Sequence, residues 1–473
     1  MEYLTIKNHK HIAFFNMGKN IIAWNRFFPS ILKFEKSVFA SVLKAIDDPD
    51  FRSQLEEESL SNLEKNNIVS DEDYEKKFLN QIEQFMEKRK NDLSLNIKRK
   101  KPFSSLLLFF EKCNLYCPYC IMAHTWGRKN YKSLKKNTDQ NSLFKNVTQL
   151  LDQQYNAMEN YPLDNFSITI SGGEPLIKFD LLKRIIEYIR IKKNDKKTFI
   201  DMNTNASLLT EKMIGFFIDA DVKLHISIDG NQTHHDSTRV YRSGKGSFND
   251  VVKAIQLLKK MRYPEEKLEN FQGTIYNFDL LNKEDIFEFY SKLNFKVALL
   301  YPGLLGIDAE TGKKNAFKFF DLYKESLKRD PTLISTEIKK FAAILDSGIN
   351  ANYNAYCNGL GANRMMLLLN YNIPNESLSY LCQFIPQLSK KHGGSIDIFD
   401  MELFDKSIDY QYKRIESMKK HCINCSMVGI CNGGCILNGL NAFNEKNEGA
   451  CSYWKTIWSL YLKEYLKEEN NAL

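Results

Sequence analysis

The chain has no cysteine in its first 112 residues, no long apolar run and no marked excess of charge of either sign. Its longest purely apolar runs, such as Leu106–Phe110, fall far short of the roughly 20 residues a bilayer span needs, so no membrane partner is expected. The N-terminal stretch MEYLTIKNHK carries charges where a secretory signal needs an apolar core, and a cytoplasmic location is the expectation. Lys and Arg total 66 against 58 Asp and Glu. A formal +8 spread over 473 residues is weak ground for nucleic-acid binding, and no nucleic-acid partner is expected. Ten cysteines are well below the roughly 8–10% of residues found in small disulfide scaffolds, and in a reducing cytosol clustered thiols are more often metal ligands. The 43% hydrophobic and 26% charged content is that of a folded globular protein, and the length suggests about three domains.

What cysteine there is lies in clusters. Cys113, Cys117 and Cys120 fall in CNLYCPYC, and the other seven follow from Cys357 onward: Cys357, Cys382, Cys422, Cys425, Cys431, Cys435 and Cys451. At this composition a chance Cx3Cx2C arises only roughly 0.004 times per chain, so the spacing carries information. A closed zinc site needs four donors, and the first group has three thiols with only His124 nearby. Three thiolates suit an iron–sulfur cluster with one open iron. A zinc ribbon over Cys422–Cys435 would leave other cysteines unexplained.

From Pro102 onward short apolar strands alternate with helix-period segments. Strands are expected near 105–110, 166–171, 198–203, 222–227, 271–276 and 296–301, with helices near 181–191, 211–218, 250–261 and 285–293. Six βα units predict an α/β fold with a parallel sheet, whose chemistry sits on loops at the C-terminal ends of the strands. The motifs fall there: CNLYCPYC after the first strand, SGGEP (171–175) after the second, MNTN after the third and SIDG (227–230) after the fourth. Before this region, strands near 3–7, 11–15 and 21–24, with a turn at Gly18, predict a small sheet. Helical periodicity follows at 38–46 and 60–68, and the charged run 70–101 reads as a linker helix.

With these motifs in this order, residues 100–330 resemble the radical S-adenosylmethionine (SAM) enzymes, which have a partial (βα)6 TIM-like barrel. The resemblance implies that Cys113, Cys117 and Cys120 hold a 4Fe–4S cluster whose open iron binds SAM. It further implies Tyr119 near the adenine, Gly173 and Glu174 near the SAM amino group, and Ser227 and Arg239 near its carboxylate and ribose, with Asn205 as an additional contact. The planar fork of Arg239 suits a carboxylate. The last seven cysteines resemble a SPASM domain. That pattern implies one auxiliary cluster on Cys422, Cys425, Cys431 and Cys451 and another on Cys357, Cys382 and Cys435, making three clusters in all. Residues 358–381 hold no cysteine, so the latter cluster has an open iron or a non-cysteine ligand. The N-terminal region is reminiscent of the RiPP recognition element, a small winged-helix fold that binds the leader of a precursor peptide. The domains expected are therefore 1–98 for recognition and linker, 99–335 for the radical SAM core and 345–460 for SPASM.

The function these resemblances imply is a peptide maturase. A 5′-deoxyadenosyl radical takes hydrogen from a precursor peptide, and the resulting carbon radical forms a thioether or carbon–carbon cross-link as a proton leaves and an auxiliary cluster accepts the released electron. The partners are the precursor, leader and core, and an external electron donor such as flavodoxin or ferredoxin. An anaerobic sulfatase-maturating enzyme is the alternative, but about 110 residues precede the cysteine triplet here, and Gln383 stands where that group has its catalytic carboxylate. An amide cannot act as a general base. An iron–sulfur electron carrier without SAM chemistry is a further alternative, which the GGEP and SIDG loops disfavour. RSGKGSF (242–248) lacks the first glycine of a phosphate-binding loop and reads as a loop and helix cap. His234 and His235 read as a polar loop and His421 as solvent-exposed.

Overall fold

The computed structural model describes residues 7–16, 18–28, 30–110, 112–120, 140–192, 198–268, 270–280, 282–293, 298–302, 307–329, 364–369, 376–380, 389–393, 397–431 and 447–471. The N-terminal part is an antiparallel meander of β1 (Lys7–His9), β2 (Ile12–Asn16), β3 (Asn20–Asn25) and β4 (Ile31–Glu35). Helices Phe39–Asp47 and Glu57–Lys65 pack on one face of it, burying Ile12, Phe14, Ile21, Val42 and Ile46 together. The opposite face, with Ala13, Phe15, Ile22 and Trp24, joins the main core of the protein. The linker helix spans Tyr74–Lys98 and is capped by the Asp73 side chain.

Six parallel strands follow: β5 (Ser105–Phe110), β6 (Phe166–Gly172), β7 (Thr198–Thr204), β8 (Val222–Ser227), β9 (Asn270–Ile275) and β10 (Ala298–Pro302). They lie side by side in chain order. Their bounds match the periodicity to within two residues. A parallel sheet covered on both faces usually shows continuous apolar runs. Here β6 alternates: Phe166, Ile168 and Ile170 are fully buried, while Ser167, Thr169 and Ser171 on the other face are half-buried. On that second face β7 and β8 place Asp201, Asn203, Lys223, His225 and Ser227. The apolar face packs against helices such as Phe179–Lys192, and the polar face is left for chemistry.

The same sheet continues past β5. β11 (Arg364–Leu369) pairs with it in parallel, and β12 (Glu376–Tyr380) and β13 (Ser389–Gly393) extend it antiparallel, making nine strands. The C-terminal region is therefore built onto the barrel sheet. Helices Ala309–Arg329 and Glu448–Asn471 cross at Gly312 and Gly449, where a Cβ on Gly312 would collide with the Gly449 carbonyl. No helix among the described residues is long and apolar enough to cross a membrane.

Candidate active site

The loop leaving β5 carries Cys113, Cys117, Tyr119 and Cys120. It is pinned across the mouth of the sheet by a bridge between Leu115 and Tyr241 and by the Tyr116 amide donating to the Val240 carbonyl at 2.7 Å. Gly172 and Gly173 close the neighbouring strand. Gly172 has φ +112°, and a Cβ on it would strike the Phe110 carbonyl, while one on Gly173 would strike that of Lys112. Two glycines here let the β6 turn lie directly against the cysteine loop.

Glu174 is buried and its carboxylate is fully engaged. It accepts from Leu176 N at 3.1 Å, the Thr204 hydroxyl at 2.8 Å and Asn205 N at 2.7 Å. Burial pushes its pKa up to about 7, against those three donors. A ligand at this turn meets backbone groups, with Glu174 holding β6 to β7. Asn205 turns its amide to Asn114 Oδ1 at 2.9 Å and to Cys113 Sγ at 3.8 Å, and Leu115 N reaches the same sulfur at 3.4 Å. Ser227 ends β8 at the same mouth.

Beyond Ser227 lies a buried hub that the sequence reading passed over. Asp229 Oδ1 forms an ion pair with Arg239 at Nε, 2.9 Å away, and accepts from the Thr274 amide at 2.7 Å, and Oδ2 takes the Tyr119 hydroxyl and that of Thr238 at 3.1 Å. Burial alone would raise the Asp229 pKa, but Arg239, His235, Tyr119 and Thr274 together hold it below the usual carboxylate range. Burial likewise opposes the charge on Arg239, and Asp229 outweighs it, so Arg239 stays a guanidinium. With Nε held by Asp229, the two terminal nitrogens of Arg239 have no protein partner among the described residues, and its charge acts on Cys117. Its cation also lies 5.7 Å from the Tyr119 ring, and Tyr276 stands 5.7 Å from that ring on the other strand end. SIDG itself contained the signal: a buried Arg239 requires a counter-ion, and Asp229 is the acidic residue of the motif.

His234 and His235 are buried on the short helix Gln232–Asp236, which corrects their reading as a polar loop. His234 Nδ1 lies 2.6 Å from the Asp229 carbonyl. His235 Nδ1 accepts from Asp229 N at 3.3 Å, which leaves its proton on Nε2 to reach Ser247 Oγ at 3.0 Å, and Ser247 donates to the Arg239 carbonyl at 2.7 Å. Asp229 and Arg239 are thus fixed through backbone as well as side chain. Ser247 precedes helix Phe248–Lys260, but its hydroxyl serves Arg239, and Asp236 accepts from Phe248 N in its place at 2.9 Å.

None of the seven described cysteines is in a disulfide. Burial pushes the thiols of Cys113 and Cys117 up, the latter to about 12, with Arg239 opposing at Cys117. Among the described residues no three His, Cys, Asp or Glu side chains form a ready metal-ion site. The case for a cluster at Cys113, Cys117 and Cys120 rests on three thiols carried on one pinned loop, with N–H groups turned to the Cys113 sulfur. Iron–sulfur thiolates are stabilised by such donors, and bound iron reverses the burial penalty on the thiolate. Farther along, burial raises the Cys431 thiol, and the nearby Cys425, Cys451 and Cys422 raise it further. Cys422 caps helix Met401–His421, beside an exposed His421, and Cys451 lies on helix Glu448–Asn471. Cys357, Cys382, Cys435, Gln383 and His124 lie outside the described residues.

The model of the Radical SAM superfamily matches residues 107–293. A cysteine-type anaerobic sulfatase-maturating enzyme of Clostridium novyi is 26% identical over 361 residues, covering 72% of this chain and 87% of that protein. The radical SAM cyclopropyl synthase TigE of Paramaledivibacter caminithermalis is 24% identical over 445 residues, 87% of this chain and 85% of that protein. The chain spans about half the length of a further relative, an uncharacterized protein of Methanocaldococcus jannaschii, at 32% identity over 160 residues and 34% of this chain. Among solved structures, native anSMEcpe with bound AdoMet superposes with a TM-score of 0.57 at 19% identity, covering 78% of this chain and all of that one, which shows a shared fold.

Proposed function

Because the chain carries a radical SAM domain over residues 107–293, we propose that it is a peptide maturase that installs a radical-derived cross-link in a ribosomally made precursor. The observation that carries this reading is the pairing of Asp229 with Arg239, which leaves the guanidinium fork open beside Cys117, where a SAM carboxylate would bind. Cys113, Cys117 and Cys120 would hold a 4Fe–4S cluster, and when bound it supplies the electron that cleaves SAM to a 5′-deoxyadenosyl radical. Arg239 receives the carboxylate, and the backbone at Gly173 and Glu174 receives the amino group. Tyr119 lines the adenine, and Ser227 and Asn205 complete the cradle.

The N-terminal module, residues 1–98, would capture the leader. β1 and β4 are the edges of its sheet, and beside β4 the part-buried Leu32, Phe34, Phe39 and Leu43 offer apolar footholds for an added strand. Residues 99–335 would be the radical core. Residues 345–460 would form a SPASM domain, with auxiliary clusters on Cys422, Cys425, Cys431 and Cys451 and on Cys357, Cys382 and Cys435. The electrons enter from an external donor such as flavodoxin or ferredoxin.

Two comparisons support a peptide substrate and bond formation. A structure of anSMEcpe with AdoMet and the Cp18Cys peptide shares the fold, and TigE, a relative matched over 87% of the chain, is a cyclopropyl synthase. A cyclopropyl ring is closed by a carbon–carbon bond, which favours that class of cross-link. Sulfatase maturation is the second reading, supported by the Clostridium novyi relative and disfavoured by Gln383. Mass spectrometry of a precursor encoded beside this chain, after anaerobic reaction with SAM and reductant, tests the proposal. Loss of hydrogens supports it, and an unchanged peptide despite SAM cleavage contradicts it.

A further inference from the structure

The N-terminal module is braced against the C-terminal cysteines. Trp24, buried at the end of β3, donates its indole N–H to the Ser426 carbonyl at 3.1 Å. Two residues on, the Arg26 carbonyl accepts from Gly429 N at 2.7 Å. A Cβ on Gly429 would collide with the carbonyls of Arg26 and Phe27, so only glycine permits this approach. Phe27, Phe78, Ile82, Met418 and Val428 close an apolar cluster around the seam, with Cys422 and Cys425 packed on it. The contacts continue outward through Lys419–Glu83 at 2.9 Å and Tyr412–Glu87.

Arg26 sits in the middle of this seam. It is 5% exposed, its guanidinium lies 4.7 Å from the Phe27 ring centre, and Nη1 makes only a long 3.5 Å contact to Asn424 Oδ1. Its Nε is buried with no hydrogen-bond partner among the described residues. An unpaired buried donor costs about 1–3 kcal/mol, more on a charged group, so such an atom calls for an explanation. Burial disfavours the Arg26 charge, and Glu75 and Cys425 favour it, which puts the guanidinium in the field of the cysteine segment.

We propose that Arg26 is a positioning residue for an auxiliary cluster, its unpaired Nε–H satisfied by the sulfurs of the set held by Cys422, Cys425, Cys431 and Cys451. This rests on the reading of those cysteines as iron–sulfur ligands. Hydrogen bonds and positive charge at cluster sulfur favour the reduced state and raise the reduction potential. The N-terminal module then forms one wall of the cluster site.

The test uses the full-length, anaerobically reconstituted protein in a background with Cys113, Cys117 and Cys120 all changed to Ala, so that the remaining iron is auxiliary. Absence of iron and of an EPR signal there refutes the cluster reading itself. With iron present, EPR-monitored redox titration compares the background with added Arg26→Gln and Arg26→Lys. The proposal expects a lower midpoint potential in Arg26→Gln and an intermediate one in Arg26→Lys, with iron content retained in Arg26→Lys. Midpoints unchanged in both variants overturn it.

Discussion

Asp229, fully buried, holds the largely buried Arg239 by its Nε at 2.9 Å, and the same carboxylate takes the Tyr119 hydroxyl from the cysteine loop. One side chain therefore sets the Arg239 guanidinium and the loop that carries the thiols. Breaking one half of a buried pair costs about 3–5 kcal/mol. Asp229→Asn is expected to weaken SAM binding by at least tenfold, about 1.4 kcal/mol, in equilibrium binding to reconstituted protein. Tyr119→Phe, which removes only the hydroxyl, is expected to cost less, and unchanged SAM affinity in Asp229→Asn would sink the positioning role.

Gly172→Ala should destabilise the protein by more than about 2 kcal/mol, since it adds both a left-handed backbone penalty and a clash with the Phe110 carbonyl. Gly244→Ala, at φ +85° with open space around it, should incur only the backbone penalty. Equal melting temperatures for the two variants would show that the close approach of β6 to the cysteine loop is unimportant.

Burial, aided by Arg239, lowers the His235 pKa from 6.5 to about 4. The folded protein keeps this ring neutral where the unfolded chain would protonate it, so stability is flat above about pH 6.5 and falls as pH drops toward 4. The full loss is roughly 3 kcal/mol at 1.36 kcal/mol per unit. His235→Gln should be less stable at pH 7.5 but lose less between pH 7 and 5. Thermal melts at both pH values check this, and parallel pH slopes would contradict it.

The two sets of cysteines should separate two activities. Changing Cys113, Cys117 and Cys120 to Ala should abolish 5′-deoxyadenosine release. Changing Cys425 and Cys431 should lower iron content and peptide product while SAM cleavage persists. Chromatography of the nucleoside and iron analysis distinguish the outcomes.

The barrel strands were legible because each apolar alternation is local: β5 and β8 begin and end where their patterns do. β4 was not, since Ile31–Glu35 is a short edge strand just past Pro29, with only part of its side chains covered. β11 was missed for another reason. It pairs with β5, far back along the chain, and no periodicity encodes so remote a partner. At the site, the candidate cluster and SAM residues sat in recognisable motifs, whereas Asp229, His235 and Ser247 gain their meaning from burial. Their neighbours come from β8, β9 and the 239–247 turn, which only the fold brings together.

The most direct measurement is tandem mass spectrometry of the neighbouring precursor peptide after anaerobic turnover with SAM. A peptide that has lost hydrogens, cross-linked at defined residues in step with 5′-deoxyadenosine release, is the predicted result. Formylglycine in a sulfatase peptide, with the precursor left unmodified, would contradict the account.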